Sequence, residues 1–396
     1  MFEKALHGSK GYWIWVGALT AVIAGSFLVY LYQYRQGLWI TGLSRDVSWG
    51  LYISQFTFQV GVAASAIVVV IPFYLHNDKV FGKITVLAQF LAIGAVVMSL
   101  LFVITDLGKP MRLFNVPLHP TLHSMLFWDM IFLNGYLFLN LVTGWSILSA
   151  REQDVAPPKW VNPLICLSIP WAVLMHMITA FIYAGTPGRE FWLTAIMTPR
   201  FLVSAFAAGP ILLIILGTLL KKMTGYGPGE PAVQKLVTIA LYMLILDLFF
   251  IGLEFFTAFY SHIPSHTETF RYLLFGLHRN DALRPWYWAM LIATLVTIIL
   301  FFIPGTRKKR VRLVIACVIG FIGLWIDKGF VLIVAAFIPN PFGQVKEYPP
   351  TGPEILIVLG IYCLGALVIT LLYKIAVSIE KMRGEGLPAD GTYSRG

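Results

Sequence analysis

The sequence predicts an all-α polytopic membrane protein of about ten transmembrane helices. Of its 396 residues, 58% are hydrophobic and only 12% are charged, whereas a soluble domain carries about a quarter charged residues. The chain also contains ten mostly apolar runs of roughly the 20 residues that a helix needs to cross a bilayer. This composition excludes a soluble enzyme, a nucleic-acid-binding protein and a disordered chain.

Span one begins close to the amino terminus and is similar in that respect to a signal peptide. It is long, however, and ends in aromatic residues and Arg35 rather than in a small-residue cleavage site, so we retain it as a span. Residues 1–382 then form one membrane domain, followed by a polar tail over residues 383–396. The predicted spans are Tyr12–Tyr34, Trp49–Leu75, Ile84–Thr105, Met125–Leu148, Pro163–Tyr183, Phe201–Leu220, Leu236–Tyr260, Trp286–Ile303, Val311–Phe337 and Ile355–Val377.

The distribution of basic residues predicts the orientation of the chain. The amino terminus, the even-numbered loops, the carboxyl tail and the adjoining ends of spans nine and ten hold 18 Lys and Arg residues, whereas the odd-numbered loops hold 10. Basic residues concentrate on the cytoplasmic side of membrane proteins, and the cluster Arg307–Arg312 strengthens this bias. We therefore expect a location in the cell membrane with both termini in the cytoplasm. The net charge of +10 reflects topology and predicts no nucleic-acid partner.

Ionisable residues within the spans mark a candidate path for protons, because such residues are costly in lipid and usually functional. Asp247 and Glu254 are seven residues apart and therefore lie on one helical face. They require either a partner such as His176 or Arg200, or protonation. Asp327 and Lys328 are adjacent, and a purely structural ion pair is the alternative interpretation for them. The candidate proton path comprises His176, Asp247, Glu254 and Asp327.

The histidine and cysteine patterns predict neither haem nor metal in this chain. A membrane b-type haem generally has two histidine ligands on separate helices, and His176 has no counterpart at matching depth in the predicted spans. The three cysteines lie in separate apolar runs, with no spacing typical of metal ligands or of a disulfide framework. A lone buried imidazole is more typical of a hydrogen-bonded or proton-handling group.

Several motifs resemble those of the NrfD/polysulfide-reductase (PsrC) family of membrane subunits. Trp49–Ile53 opens span two with Trp-Gly-Leu-Tyr-Ile, and Asp106–Arg112 closes span three with Asp-Leu-Gly-Lys-Pro-Met-Arg. Within this family the chain is most similar to the DsrP branch of the DsrMKJOP complex and to the equivalent subunit of the archaeal Hdr-like menaquinol oxidoreductase (Hme). The segments that carry this closer resemblance are 44–50, 60–66, 81–85, 126–130, 253–260 and 325–329.

The resemblance implies two four-helix bundles, spans two to five and six to nine, flanked by spans one and ten. It also implies a quinone pocket on the extracytoplasmic side, under a ferredoxin-like iron–sulfur subunit. Menaquinol would be oxidised there, or menaquinone reduced, with proton movement inside one bundle. Cytochrome c and cytochrome b/iron–sulfur subunits would complete the complex, and this chain would be inactive alone and carry no haem.

Quinol oxidation releases two electrons and two protons, so its site needs an apolar slot, a base and a proton exit. We place the head group under the first and third odd loops, with Asp129 as proton acceptor and with Asp106 and His123 as further catalytic candidates. An ion pair of Asp106 with Lys109 or Arg112 that orders the loop is the alternative for that residue. The candidates for contact with the quinone are Trp49, Tyr52, Gln55 and Trp128.

Other functional classes are also compatible with ten spans and buried acids. A proton-conducting or transporter-like protein without quinone chemistry is one, although the spans lack the matched pair of Gly/Pro-broken helices that indicates a midplane substrate site. A haem-b cytochrome subunit and a passive anchor for a redox partner are the others.

Overall fold

The computed structural model, which describes residues 3–76 and 78–385, confirms the all-α architecture. It is 79% helical and contains no strand within the described residues. Ten helices are long and apolar enough to cross a membrane. These helices, labelled α1 to α10, are Lys10–Gln36, Leu51–Leu75, Thr85–Asp106, Met125–Glu152, Val161–Ala184, Met197–Thr224, Glu230–Tyr260, Arg284–Phe302, Arg310–Ala335 and Gly352–Glu385.

The helices form two four-helix bundles, as expected from the family resemblance. In the first, α3 packs against α2 and α4, and α4 packs against α5. In the second, α6 contacts α7 and α9, and α8 packs along α9. Helix α2 also contacts α6 and the middle of α9, so the bundles share an extended interface. Helix α10 packs against α1 and α3, which places α1 and α10 beside the first bundle.

Glycines at several crossings let the helices approach closely. A Cβ added at Gly94 of α3 would meet Ile369 of α10 at 2.6 Å, and one added at Gly365 of α10 would meet Met98 of α3 at 2.1 Å. Glycines on both helices therefore set the distance between α3 and α10.

The helices agree with the predicted spans apart from their ends. Helix α7 begins at Glu230, earlier than the predicted Leu236, because Pro231 favours the first turn of a helix. Helix α10 continues to Glu385. The predicted polar tail over 383–396 therefore begins inside this helix, and residues 386–396 lie outside the described residues.

Helix α9 contains a π-helical turn over Asp327–Val331. A π turn widens the helix locally, and such turns are frequent at functional sites. Here both Asp327 and Lys328, although adjacent in sequence, are buried. A second π turn, Ile71–Leu75, ends α2.

The odd-numbered loops lie at one end of the bundles and form what we call the odd-loop face. Its largest loop, between α7 and α8, contains the helix Pro264–Phe275. The remaining short helices within the described residues are Glu3–Leu6, Leu38–Ile40, Lys79–Phe81, Pro110–Phe114, Asn115–Leu118, Glu190–Trp192 and Pro304–Lys308.

Candidate functional site

Asp129 lies one turn inside α4, close to the odd-loop face, and only 5% of its surface is exposed. The hydroxyl of Thr179 on α5 donates a hydrogen bond of 2.6 Å to its Oδ1 atom. The neighbouring Trp128 does not contact this carboxylate through its indole nitrogen, which instead donates to the carbonyl of Leu122 at 2.9 Å. Trp128 therefore fixes the entry of the chain into α4, while Asp129 points into the bundle.

A second polar contact lies beside Asp129. The hydroxyls of Tyr183 on α5 and Thr57 on α2 share a hydrogen bond of 2.5 Å. Tyr183 is close enough to Asp129 and Asp106 to interact electrostatically with both. The ring of Trp49 packs edge-on against Tyr183, at 5.8 Å between centroids. We call this region, defined by Trp49, Thr57, Asp106, Asp129, Thr179 and Tyr183, the α2–α5 mouth.

Asp106 is the last residue of α3. Among the described residues no ion pair joins it to Lys109 or Arg112, so the alternative of a loop-ordering pair is not supported. Its Oδ1 atom is buried and has no hydrogen-bond partner within the described part of the chain. Because a buried unsatisfied carboxylate oxygen is costly, this atom is available to bind a ligand or a proton.

Tyr52 lies at the edge of the mouth that faces α1. Its hydroxyl donates to Oε1 of Gln33 at 2.6 Å, and Nε2 of Gln33 donates to the carbonyl of Thr105 at 2.8 Å. Sequence reasoning missed Gln33, because a single glutamine near the end of a span carries no distinctive pattern. A small cavity adjoins this network and is lined by Tyr30, Gln33, Tyr34, Gly37, Leu38, Leu107, Gly108 and Pro110.

Two predicted site residues lie elsewhere. His123 is exposed in the loop before α4. Gln55 is fully buried but directed at α9 and α10: its Nε2 donates to the carbonyl of Gly329 at 2.6 Å, and its Oε1 accepts from Trp325 and Tyr362 at 2.8 and 2.6 Å. The amide is occupied by these three bonds, so Gln55 is a helix-packing residue in this structure rather than part of the mouth.

A buried ion cluster occupies the second bundle. Arg200 of α6 donates to Glu254 of α7 and to Asp327 of α9, each at 2.8 Å, and its Nε atom lies 4.0 Å from Asp247. Lys328 lies 3.4 Å from the second oxygen of Asp327. We call these five residues the Arg200 cluster. The sequence predicts that the two acids of span seven have a partner such as His176 or Arg200, or are protonated. Arg200 pairs closely with Glu254, whereas Asp247 receives no hydrogen bond from it.

His176, the fourth residue of the predicted proton path, stands apart from the Arg200 cluster. Its Nδ1 atom lies 3.1 Å from the carbonyl of Ala172, and its Nε2 atom has no hydrogen-bond partner among the described residues. A small cavity between the bundles is lined by Thr57, Phe58, Gly61, His176, Phe201, Ser204, Ala205, Ala208, Leu324 and Lys328. The cavity therefore borders both Thr57 of the α2–α5 mouth and Lys328 of the Arg200 cluster.

Glu354 is a buried acid that sequence reasoning also missed, because it lies at the start of a span. It accepts hydrogen bonds from the backbone of Gly42 and Thr351, each at 2.8 Å, and from the hydroxyl of Tyr348 at 2.5 Å. Burial, together with this carboxylate, raises the pKa of Tyr348 above its usual range. Glu354 thus ties the first and ninth loops together beside the mouth.

The odd-loop face combines exposed apolar side chains with two partly buried basic ones. Burial lowers the pKa of Arg189, whose guanidinium lies 4.1 Å from the centre of the Phe337 ring. Burial also lowers the pKa of His266, against the opposing effect of Glu190. Large exposed apolar side chains near the first bundle are Trp39, Met111, Phe114, Leu118 and Leu122.

A comparison with known protein families identifies the family to which this chain belongs. The family model described as polysulphide reductase, NrfD, matches residues 39–340. The chain belongs to the NrfD family. The matched region contains the α2–α5 mouth and the whole Arg200 cluster, but not Gln33 or Glu354.

Several curated proteins are similar to this NrfD-family chain. One subunit of the selenate reductase of Mesobacillus selenatarsenatis is 24% identical over 81% of each chain. The menaquinone reductase integral membrane subunit of Nitratidesulfovibrio vulgaris is 24% identical over 86% of this chain and 85% of its own. The Hdr-like menaquinol oxidoreductase integral membrane subunit of Archaeoglobus fulgidus is 25% identical, over 54% and 52% of the two chains.

A solved structure shares the fold of this NrfD-family protein. The structure of bd oxidase from Geobacillus thermodenitrificans aligns with a TM-score of 0.51 and 11% identity, over 92% of this chain and 99% of that chain. At this identity the similarity concerns the helical architecture alone.

Proposed function

We propose that this chain is the membrane subunit of a multi-subunit redox complex in which menaquinol is oxidised, or menaquinone reduced, at the α2–α5 mouth. The electrons pass to or from a ferredoxin-like iron–sulfur subunit on the odd-loop face. The names of the similar proteins from Nitratidesulfovibrio vulgaris and Archaeoglobus fulgidus support quinone chemistry in the family. The assignment to the DsrP branch, with its cytochrome c and cytochrome b/iron–sulfur subunits, is part of this proposal.

The observation that carries the proposal is the environment of Asp129. Its carboxylate is buried, close to the odd-loop face, and held by the single hydroxyl of Thr179. A base that exchanges protons with a quinone head group must be oriented, shielded from bulk water and within reach of a hydrogen-bonded exit. Tyr183 and Thr57 supply the beginning of such an exit, and the unpaired oxygen of Asp106 supplies a second acceptor.

The odd-loop face supports a partner above this site. Exposed apolar side chains such as Leu118 and Leu122 cluster in the loop over the first bundle, and patches of this kind commonly mark interfaces. An external electron carrier must come close to the quinone, and the α2–α5 mouth lies at the end of the first bundle that these loops cover. We therefore assign the iron–sulfur subunit to the extracytoplasmic side, with both termini of this chain in the cytoplasm.

The test replaces Asp129 with Asn in the intact complex. Asp129→Asn keeps the size of the side chain and removes its ability to accept a proton, so quinol-dependent turnover should fall by about 10²–10⁴-fold, the usual contribution of a general base. Asp78→Asn, the same change in the loop between α2 and α3, where Asp78 pairs with Lys235, serves as the control. Normal turnover by an assembled Asp129→Asn complex would remove this residue from the mechanism.

A further inference from the structure

The Arg200 cluster contains one more acid than base. Its acids are Asp247, Glu254 and Asp327, its bases are Arg200 and Lys328, and each is at most 9% exposed. Full ionisation would therefore leave one net negative charge inside the membrane, where an uncompensated charge is strongly unfavourable. One additional proton makes the cluster neutral.

The geometry indicates which acid holds this proton. Glu254 and Asp327 each accept a guanidinium hydrogen bond of 2.8 Å from Arg200. Asp247 receives none: its nearest cationic atom is Nε of Arg200 at 4.0 Å, and its Oδ1 atom has no hydrogen-bond partner among the described residues. Asp247 is thus the least compensated carboxylate of the three.

Two further titratable groups interact electrostatically with this cluster from neighbouring elements. Tyr287 of α8 interacts with Arg200, and His266 of the helix between α7 and α8 interacts with Glu254. A phenol contributes no charge near neutral pH, and burial lowers the pKa of the His266 imidazole, which disfavours its charged form. These two groups therefore leave the excess of one acid unchanged.

We propose that the Arg200 cluster holds one exchangeable proton on Asp247, and that water in the cavity beside Lys328 carries this proton to His176. The presence of the proton follows from the charges of the cluster alone. Its use in quinone turnover rests on the proposed function of the α2–α5 mouth.

The cavity has the polar atoms that such a relay needs. Nδ1 of His176 faces a carbonyl oxygen, which can only accept, so this nitrogen carries the hydrogen and Nε2 is an acceptor. Nζ of Lys328 is a donor, and neither atom has a hydrogen-bond partner within the described residues. Both residues line the same cavity, together with Thr57 and Ser204. Water bound between them would satisfy both atoms.

The relay moves one proton and no electron. Nε2 of His176 takes a proton from the water, the water takes one from the Lys328 ammonium, and the amine takes one from the Asp247 carboxyl group through a further water, because among the described residues no ion pair joins Lys328 directly to Asp247. The positive charge then resides on His176 and the negative charge in the cluster. Thr57, which lines the cavity, continues the path to Tyr183 and the mouth.

Infrared spectroscopy of the intact purified complex tests the stored proton without any activity. Asp247→Asn leaves two acids and two bases, so one protonated-carboxyl band should disappear relative to wild type. Lys328→Met leaves three acids and one base, so one such band should be gained. The double variant Asp247→Asn/Lys328→Met restores the original excess and should retain one band. Identical bands in wild type and both single variants would overturn the stored proton.

Measurement of quinol turnover tests the relay separately from the stored proton. In the assembled complex Lys328→Met should lower kcat for quinol at least tenfold with KM unchanged. Lys235→Met, which removes an ion pair between α7 and Asp78 of the loop between α2 and α3, should not lower it. Normal kcat in Lys328→Met would overturn the relay. A wild-type complex that shows the expected bands but no quinol turnover would instead contradict the proposed function and leave the stored proton supported.

Discussion

Arg200 donates a hydrogen bond of 2.8 Å to Asp327, which joins the first turn of α6 to the π turn of α9. The guanidinium reaches a third helix through Glu254 of α7. Three of the four helices of the second bundle are therefore joined through one side chain. Such a bridge stabilises the bundle only while its charges compensate one another.

Removing the guanidinium should destabilise the protein strongly. Arg200→Met leaves three buried acids beside a single lysine, and the loss of one partner from a buried ion pair typically costs about 3–5 kcal/mol. Arg200→Met/Asp327→Leu, which removes both partners, should regain part of the loss. Thermal unfolding in detergent measures both variants, and equal stability of Arg200→Met and wild type would contradict this account of the cluster.

Gln55 should affect stability rather than quinone affinity. Gln55→Leu abolishes three hydrogen bonds that link α2 with α9 and α10 and leaves buried partners unsatisfied, a loss of about 1–3 kcal/mol. The exposed Gln153→Leu is the matched control. Unfolding temperature and KM for quinol, measured together, distinguish a role in stability from a role in quinone binding. A raised KM at unchanged stability would indicate that Gln55 contacts the quinone.

Thr179 should act through Asp129. Thr179→Val preserves the shape of the side chain and removes the hydroxyl that orients the carboxylate, and a hydrogen bond to a charged group contributes about 1.5–3 kcal/mol. We expect kcat to fall by roughly tenfold or more, while Thr218→Val, at the opposite end of the membrane helices, leaves it unchanged. A kcat equal to wild type in Thr179→Val would argue against Asp129 as an oriented base.

The orientation can be measured with single cysteines in a Cys166→Ser background, since Cys166 is the exposed native cysteine. Phe275→Cys lies on the odd-loop face, outside the apolar patch over the first bundle, and Val155→Cys lies in an even loop; both positions are exposed. A membrane-impermeant thiol reagent should label Phe275→Cys in intact cells and Val155→Cys only after the membrane is opened. The reverse pattern would place the odd-loop face in the cytoplasm.

Much of the fold was accessible from sequence, because hydropathy determines which segments cross the membrane and the family motifs imply the bundles. The partners of the buried residues could not be predicted from sequence. Gln55 and Tyr52 are three residues apart and so share a helical side, yet Tyr52 turns to α1 and Gln55 to α9 and α10. The π turn that buries both Asp327 and Lys328 has no signature in hydropathy. Contacts between helices depend on packing that no single span specifies.

The central claim, that quinone chemistry takes place at the α2–α5 mouth, is tested most directly by photolabelling the intact complex with an azido-menaquinone and mapping the modified peptides. The claim predicts label that menaquinone competes away, on peptides that contain Trp49–Thr57, Asp106 and Asp129. Competable label confined to the helices of the second bundle, in a complex that turns over quinol, would contradict it.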